Sequence, residues 1–307
     1  MTHTVFIDGA AGTTGLEILD RLTPRAEFNL LILDGEQRKS TAARRDAYHA
    51  ADFAVLCLPD EAAIEAVALA EGSKVRIIDA SSAHRTSTGW TYGFPELIGR
   101  SKVAEASRVS NPGCYPTGFL GLLAPLVRKG LLPSAWPYTC HAVSGYSGGG
   151  KALIGRFEAE SDIAFRDYAL SLGHKHVPEM QEYAGLAHAP LFAPAVIAAH
   201  RGMVVEVPLQ LGAMERAAPV DGLRDYLVDF YQNSAVVRVH HETPDEILLH
   251  ASMKPSDRLD LWVYGARDGT QARLVAKLDN LGKGASGAAV QSLNLMAGLE
   301  ETAGLVL

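Results

Sequence analysis

The sequence predicts an α/β chain in two parts: a parallel sheet covered by helices on both faces, then an α+β region with a mixed, largely antiparallel sheet. Three observations predict it. The first third alternates short apolar runs with helical patterns, and runs such as Phe53 to Leu58 and Val75 to Asp79 are continuous rather than alternating. Strands buried on both faces have that character. Beyond Pro116 several runs alternate apolar with polar residues, and Asp268-Gly269 marks a hairpin turn. The length of 307 residues, with 48% hydrophobic and 21% charged residues, is that of a globular chain of one large or two ordinary domains.

In order along the chain, Thr4 to Asp8 reads as a short buried strand that runs into Gly9-Ala10-Ala11-Gly12-Thr13-Thr14-Gly15. A helical pattern follows through Leu16, Ile18, Leu19 and Leu22. In a strand, loop and helix of this kind, glycines permit the tight turn and the close approach of a pyrophosphate, which lies on the helix N-terminus. The spacing is G-x-x-G-x-x-G rather than the commoner G-x-G-x-x-G, so the triplet alone is weak. Its place after the first strand, with Phe28 to Leu33 positioned as a parallel neighbour, makes it the start of a Rossmann-type dinucleotide-binding domain.

Phe53 to Leu58 is a strand stopped by Pro59, a helix runs from Glu61 to Ala70, and Val75 to Asp79 is the next strand. A Gly/Pro-punctuated loop from Ser81 to Leu97 leads to the short strand Arg108 to Ser110. After Asn111-Pro112-Gly113-Cys114-Tyr115-Pro116-Thr117-Gly118, a helix runs through Leu120 to Lys129 with Cys114 in its first turn. Later strands are read at Pro137 to Ala142, Gly202 to Leu211, Val236 to Val239, Asp260 to Ala266 and Gln271 to Leu278. Helical patterns lie at Lys151 to Ala164, Val220 to Tyr231 and Ser286 to Ala297. The expected domains are 1–115 and 116–285, with 286–307 packing back on the first.

A net charge of -7 and a pI near 5.9 argue against a nucleic-acid or anionic-membrane surface and leave small anions as the plausible charged ligands. No apolar run approaches the length of a membrane span, and the N-terminus enters a strand without a basic and apolar leader, so a cytoplasmic protein is expected. The three cysteines, Cys57, Cys114 and Cys140, form no C-x-x-C pair, so neither a disulfide framework nor a metal site is expected. Cys57 and Cys140 lie in apolar strand-like runs and read as core.

Cys114 differs, because unpaired N–H groups at a helix start carry partial positive charge and lower a thiol pKa. It is a candidate nucleophile at a carboxyl end of the sheet, where ligands bind in this fold class. Taken alone, the segment reads equally well as a turn followed by a small buried residue. Ser144 to Lys151 and Asp279 to Gly287 are further glycine-rich segments between a strand and a helix. Such a loop suits backbone donors facing an anion, although glycine-rich connections are common.

Together, the glycine loop, the Asn111 to Gly118 segment, Ser144 to Lys151, His174-Lys175-His176-Val177-Pro178-Glu179 and Asp279 to Gly287 resemble the shorter form of N-acetyl-gamma-glutamyl-phosphate reductase. The resemblance spans nearly the whole chain. The cysteine segment is shared more widely with acyl-phosphate reductases, including aspartate-semialdehyde dehydrogenase. It implies NADPH-dependent reduction of N-acetyl-glutamyl 5-phosphate in arginine biosynthesis, by an oligomer of identical subunits, dimer or tetramer. An acyl phosphate is already activated, so a thiolate can expel phosphate to form a thioester, a good hydride acceptor. Cys114 is the expected nucleophile and His176 matches the family's catalytic histidine, with His174 as the substitute.

The expected cofactor contacts are Gly9, Gly12, Thr13, Thr14 and Gly15, with Ser144, Gly145 and Asn280 from the later segments. Asp34 stands roughly 20 residues after the glycine loop, where an acid binds the ribose hydroxyl of NAD. Arg38, Lys39 and Ser40 follow at once and suit a 2′-phosphate, and with the resemblance they select NADP. Arg85, Asn111, Glu179 and Arg201 are the substrate-binding candidates, and Lys151 and Lys283 are further phosphate candidates. Arg85 and Arg201 read equally well as surface ion pairs. A cysteine hydrolase has no use for the dinucleotide loop, and a redox-sensing regulator needs no turnover. Within the reductases, the aspartate enzyme is the alternative.

Overall fold

The computed structural model describes residues 2–307. The chain divides into two compact units, Met1–Gly113 with Ala285–Leu305, and Cys114–Gly284 with Val306–Leu307. The first unit opens with β1 (His3–Asp8), α1 (Thr13–Leu22), β2 (Phe28–Leu31), α2 (Thr41–Ala50), β3 (Phe53–Leu56), α3 (Asp60–Leu69) and β4 (Arg76–Asp79). It continues through β5 (Thr91–Tyr92), α4 (Pro95–Ile98), α5 (Arg100–Glu105) and β6 (Arg108–Ser110). The second holds α6 (Cys114–Arg128), β7 (Thr139–Gly145), α7 (Gly150–Ala159), β8 (Phe165–Asp167), α8 (Val177–Ala184), β9 (Leu191–Ile197) and β10 (Met203–Leu209). It closes with α9 (Val220–Tyr231), β11 (Val237–Val239), β12 (Leu259–Gly265) and β13 (Ala272–Leu278), after which α10 (Gly287–Met296) returns the chain to the first unit.

The first unit is a wholly parallel sheet in the order β2-β1-β3-β4-β6-β5. Alternate residues of β1 serve opposite faces, as the two-residue period of a strand requires. Val5 and Ile7 join Ile18 and Leu22 of α1, Val103 of α5, and Val290 and Leu293 of α10 in one core. Phe6 joins Ala47 and Tyr48 of α2 and Ala63 and Ala66 of α3 in the other. Both faces are covered, and that explains the unbroken apolar runs.

The second unit is a seven-stranded sheet in the order β11-β12-β13-β10-β7-β9-β8. The pairs β12/β13, β13/β10, β10/β7 and β9/β8 are antiparallel, while β11/β12 and β7/β9 are parallel. The mixed, largely antiparallel sheet expected from the sequence is found. Helix α6 is buried along almost its whole length and packs on β10 and β13 between α8 and α9.

Several elements differ from the sequence reading. The helix after Pro112-Gly113 has Cys114 in its first turn as expected and ends at Arg128 rather than Lys129, and α7 stops at Ala159 rather than Ala164. Helices α2, α4, α5 and α8 and strands β5, β8 and β9 lie outside that reading. β9 carries Pro194, which argues against a strand, yet it pairs in register from Leu191 to Ile197 with β7. Among the described residues, no helix is long and apolar enough to cross a membrane.

Candidate active site

The second unit places Cys114 as the first residue of α6, with its side chain half-buried. The first-turn N–H groups of a helix are its positive end and favour a thiolate there. The other two thiols are held protonated. Burial pushes Cys57 up to about 12, with the negative charges of Asp79 and Asp8 adding to it. Cys140 is also pushed up, first by burial and then by Glu206. None of the three is in a disulfide.

Gly284 closes one side of the nucleophile. A β-carbon there would lie 2.9 Å from Cys114 Cβ, 3.3 Å from its Cα and 3.1 Å from the Asp279 carbonyl oxygen. Only a residue without a side chain lets the loop after β13 pass so close to the sulfur-bearing residue. Sequence reasoning missed this role, although the glycine-rich character of Asp279 to Gly287 was its visible signal.

Tyr115 connects the cysteine to the two histidines. Its ring centroid lies 6.1 Å from His174, 5.9 Å from His176 and 5.1 Å from Phe192. His176 occupies the position before the first turn of α8 and is only 7% exposed. Its backbone N–H donates to Nδ1 of His174 at 3.1 Å. A neutral His174 therefore carries its proton on Nε2, which faces the Tyr168 hydroxyl at 3.3 Å. Tyr168 in turn donates to the Tyr115 hydroxyl over a long 3.4 Å, and Tyr115 donates to the Ala195 carbonyl at 3.0 Å. Both phenols are kept protonated by burial, Tyr168 at about 12 and Tyr115 well above the usual tyrosine value. Charge on Cys114 raises both further. Of the two histidines, His174 has both ring nitrogens occupied in this run.

Other expected contacts have protein partners. Arg201 pairs with Asp279 at 2.9 Å, and both are largely or wholly buried, so this is no surface pair. Asp279 also accepts from the Leu281 and Ser256 N–H groups at 3.0 and 3.3 Å. Asn280 spans two segments, its amide donating to Ser147 Oγ and its oxygen accepting from Gly202 N–H, each at 2.9 Å. The first amides of the loop after Ser144 have protein partners. The N–H groups of Gly145, Tyr146 and Ser147 donate to the carbonyls of Gly202, Ala199 and His200 at 2.8, 2.8 and 3.1 Å. Gly145 lacks a side chain because its β-carbon would lie 2.8 Å from the Ala199 and His200 oxygens. Ser144 and Glu179 are buried at 2% and 1% exposure, Glu179 in the first turn of α8. Lys283 is buried in the turn Gly282–Ser286, whereas Lys151 is exposed at the start of α7.

In the first unit, Gly9 has φ +86° and its β-carbon would strike the Cys57 carbonyl oxygen. At Gly15 the clash would be 2.5 Å, with the Gly9 oxygen. The loop thus admits no side chain at either position, and α1 starts at Thr13 with Gly12 before it and Thr14 after it. This bare loop at a helix N-terminus fits a dinucleotide pyrophosphate. Arg38 and Lys39 lie exposed in a 3₁₀ turn, and Ser40 caps α2, its hydroxyl accepting from Ala43 N–H at 3.3 Å. Asp34 is exposed ahead of that turn.

Arg85 is 7% exposed and donates to the carbonyls of Asn111 at 3.0 Å and Ala80 at 3.5 Å. Its loop is held by Asp79, which accepts from the Ser81 N–H and hydroxyl and from His84 at 2.6 Å. Asn111 donates to the Ala285 carbonyl at 3.0 Å, and its Oδ1 is buried without a hydrogen-bond partner among the described residues. Among those residues, no three His, Cys, Asp or Glu side chains are grouped to hold a metal ion.

Residues 4–106 match the family model "Semialdehyde dehydrogenase, NAD binding domain" and residues 114–280 match "Semialdehyde dehydrogenase, dimerisation domain". The second match begins on the candidate nucleophile. Curated relatives include N-acetyl-gamma-glutamyl-phosphate reductase 2 of a Nostoc species, 45% identical over 98% of both chains. The Burkholderia cenocepacia reductase is 47% identical over 98% of this chain and 99% of its own. The second such enzyme of Pseudomonas putida is 48% identical over 97% of both. The chain belongs to the N-acetyl-gamma-glutamyl-phosphate reductase family.

Solved structures place this reductase-family chain in a wider fold group. Aspartate semialdehyde dehydrogenase II of Vibrio cholerae superimposes with a TM-score of 0.71 at 16% identity, over 97% of this chain and 99% of its own. The Francisella tularensis aspartate semialdehyde dehydrogenase gives 0.71 at 12% identity, over 96% and 100%. These likenesses are of fold. The family resemblance read from five separated motifs and the family found by whole-chain comparison are the same.

Proposed function

We propose that this chain reduces N-acetyl-glutamyl 5-phosphate to N-acetyl-glutamate 5-semialdehyde and phosphate with NADPH, as a cytoplasmic homo-oligomer in arginine biosynthesis. The observation that carries the reading is Cys114 on the first turn of α6, beside Tyr115 and the paired histidines, in a chain nearly half identical to named reductases. The thiolate attacks the acyl carbon, a C–S bond forms, and the C–O bond to phosphorus breaks as phosphate leaves with the electron pair. The helix N-terminus stabilises the attacking anion and Gly284 leaves it room.

A bound nicotinamide supplies the hydride that reduces the thioester. His176 holds a proton toward the oxygen of the resulting tetrahedral adduct, then removes it as the C–S bond breaks, which frees the aldehyde and restores the thiolate. His174 supports this by its fixed tautomer, set between the His176 N–H and Tyr168. Gly9, Gly12, Thr13, Thr14 and Gly15 would hold the pyrophosphate, and Arg38, Lys39 and Ser40 the 2′-phosphate that distinguishes NADP from NAD. Ser144, Gly145 and Asn280 serve the cofactor indirectly, by fixing the backbone of their loops. Arg85, Asn111, Glu179 and Arg201 are the proposed substrate contacts. A homo-oligomer is supported by the dimerisation-domain match.

The aspartate compound would carry a free ammonium on a shorter chain, whereas an acetamido group needs an apolar wall and a hydrogen-bond partner. The test is NADP reduction with N-acetyl-glutamate semialdehyde and phosphate, run beside aspartate semialdehyde. A preference of at least a hundredfold, on the order of 3 kcal/mol, is expected for the acetylated compound. Cys114→Ala should abolish turnover and leave NADPH binding intact. Faster turnover of the aspartate compound would overturn the substrate assignment, and an active Cys114→Ala protein the covalent chemistry.

A further inference from the structure

Asp8, the last residue of β1, stands directly before Gly9 and is only 5% exposed. One of its oxygens, Oδ2, receives two donors from α2, Arg44 Nε at 3.0 Å and the Tyr48 hydroxyl at 2.5 Å, and Arg44 Nη2 lies 2.9 Å from it in the ion pair. Both partners are buried, Arg44 at 8% and Tyr48 at 0% exposure, and the Tyr48 ring meets Phe6 edge-on at 4.9 Å. Arg44 also reaches Glu65 of α3 at 3.7 Å. A carboxylate, a guanidinium and a phenol are costly to bury, and the core around them is otherwise apolar. Apolar residues would pack α2 against β1 without them, so the cluster supplies something packing does not.

What it supplies is a fixed distance between two halves of one nucleotide site. Arg44 lies one turn into α2, and its N–H donates to the carbonyl of Ser40, the residue that caps the helix. Arg38 and Lys39 immediately precede that cap. The glycine loop leaves the same carboxylate-bearing strand on the other side, through Gly9. Resting on the NADP reading above, we infer that Asp8, Arg44 and Tyr48 are positioning residues for 2′-phosphate recognition, holding the basic turn before α2 in register with the glycine loop. A guanidinium holds this register better than an ammonium, because its rigid plane fixes the direction of the Nε–H that Asp8 accepts. Burial lowers the Arg44 pKa, and Asp8 together with Tyr48 raises it above the usual arginine value, so the guanidinium stays protonated. Tyr48 is kept protonated by burial and by the Asp8 charge, and so remains a donor.

The experiment measures dissociation constants of NADP and NAD by calorimetric titration of the full chain. The wild type is compared with Arg44→Lys, Tyr48→Phe and the double variant Arg38→Ala/Lys39→Ala. Arg44→Lys should weaken NADP about tenfold and NAD less than about twofold, the loss of one charge-assisted hydrogen bond at the phosphate end. Tyr48→Phe keeps the ring contact with Phe6 and should lower the NADP to NAD affinity ratio about threefold. It decides the matter if Arg44→Lys does not fold. Equal weakening of both nucleotides, or an unchanged ratio, overturns the positioning role while the double variant still loses its preference. A wild type without preference for NADP, or a double variant that keeps it, overturns the NADP reading and this inference with it.

Discussion

Replacing Gly284 by alanine tests how tightly the nucleophile is held. The new methyl carbon would lie 2.9 Å from Cys114 Cβ and 3.1 Å from the Asp279 carbonyl oxygen. Non-bonded carbons settle at about 3.5–4.0 Å, so the loop and the start of α6 must separate by about 0.6 Å or more. Overpacking of this size costs about 1–3 kcal/mol of stability. The larger effect is on rate, since a misplacement near 1 Å at a reacting group costs about a hundredfold. We expect kcat to fall between about tenfold and a hundredfold with the NADP dissociation constant unchanged. Gly155→Ala is the control: it is an exposed α7 position with nothing within 4 Å of the added carbon, and should gain about 0.5–1 kcal/mol without altering kcat. Steady-state kinetics beside denaturant unfolding separate the two effects. A Gly284→Ala protein with full kcat would refute the claim that the loop sets the position of Cys114.

Iodoacetamide applied to the native protein at neutral pH should alkylate Cys114 and spare Cys57, whose thiol is raised to about 12, as peptide mass spectrometry will show. The same shift predicts an alkaline slope in stability. The unfolded thiol ionises from about pH 8.5, so the contribution of Cys57 is complete below that and is lost as pH climbs toward 12. Cys57→Ala should flatten the slope in urea titrations between these limits. At the histidines, His176→Gln should lower kcat by about a hundredfold or more, as loss of a general acid–base does. Tyr168→Phe leaves the ring in place and removes the acceptor for His174, so its kcat loss should be smaller and accompanied by a shifted pH profile. Equal losses in the two variants would contradict the separate roles given to the histidines.

The parts of this molecule that are local in sequence were legible there. A strand, a bare loop and a helix are adjacent along the chain, so the start of the nucleotide unit shows itself between Thr4 and Leu22. Cys114 was visible for the same reason, next to Pro112-Gly113 and an apolar helix. What escaped depends on residues far apart. Helix α2 looks polar because it carries two consecutive arginines, and only the folded chain shows Arg44 turned inward onto a carboxylate 36 residues earlier. Strand β9 is disguised by Pro194, which sits opposite Ala142 of β7 and beyond the end of the β8 pairing. The glycines after Ser144 read either as an anion-facing loop or as a plain connection, and the first amides of that loop are spent on the carbonyls of residues 199–202. Glycine-rich composition permits close approach and does not say whether a ligand or another strand makes it.

The second unit interrupts the first between β6 and α10, and this order has a consequence for how the chain is made. Ala289, Val290 and Leu293 of α10 complete the core formed by Val5, Ile7, Ile78 and Val109. A ribosome delivers those three residues only after the whole stretch Cys114–Gly284 has emerged. At about 5–20 residues per second, that delay is on the order of 10–30 s, during which one face of a parallel sheet is covered by α1 and α5 without α10. Nascent chains of this length are therefore natural clients for chaperones. A message ending between residues 111 and 284 yields a product with all six strands of its first sheet and one face only partly covered, a better seed for aggregation than for folding.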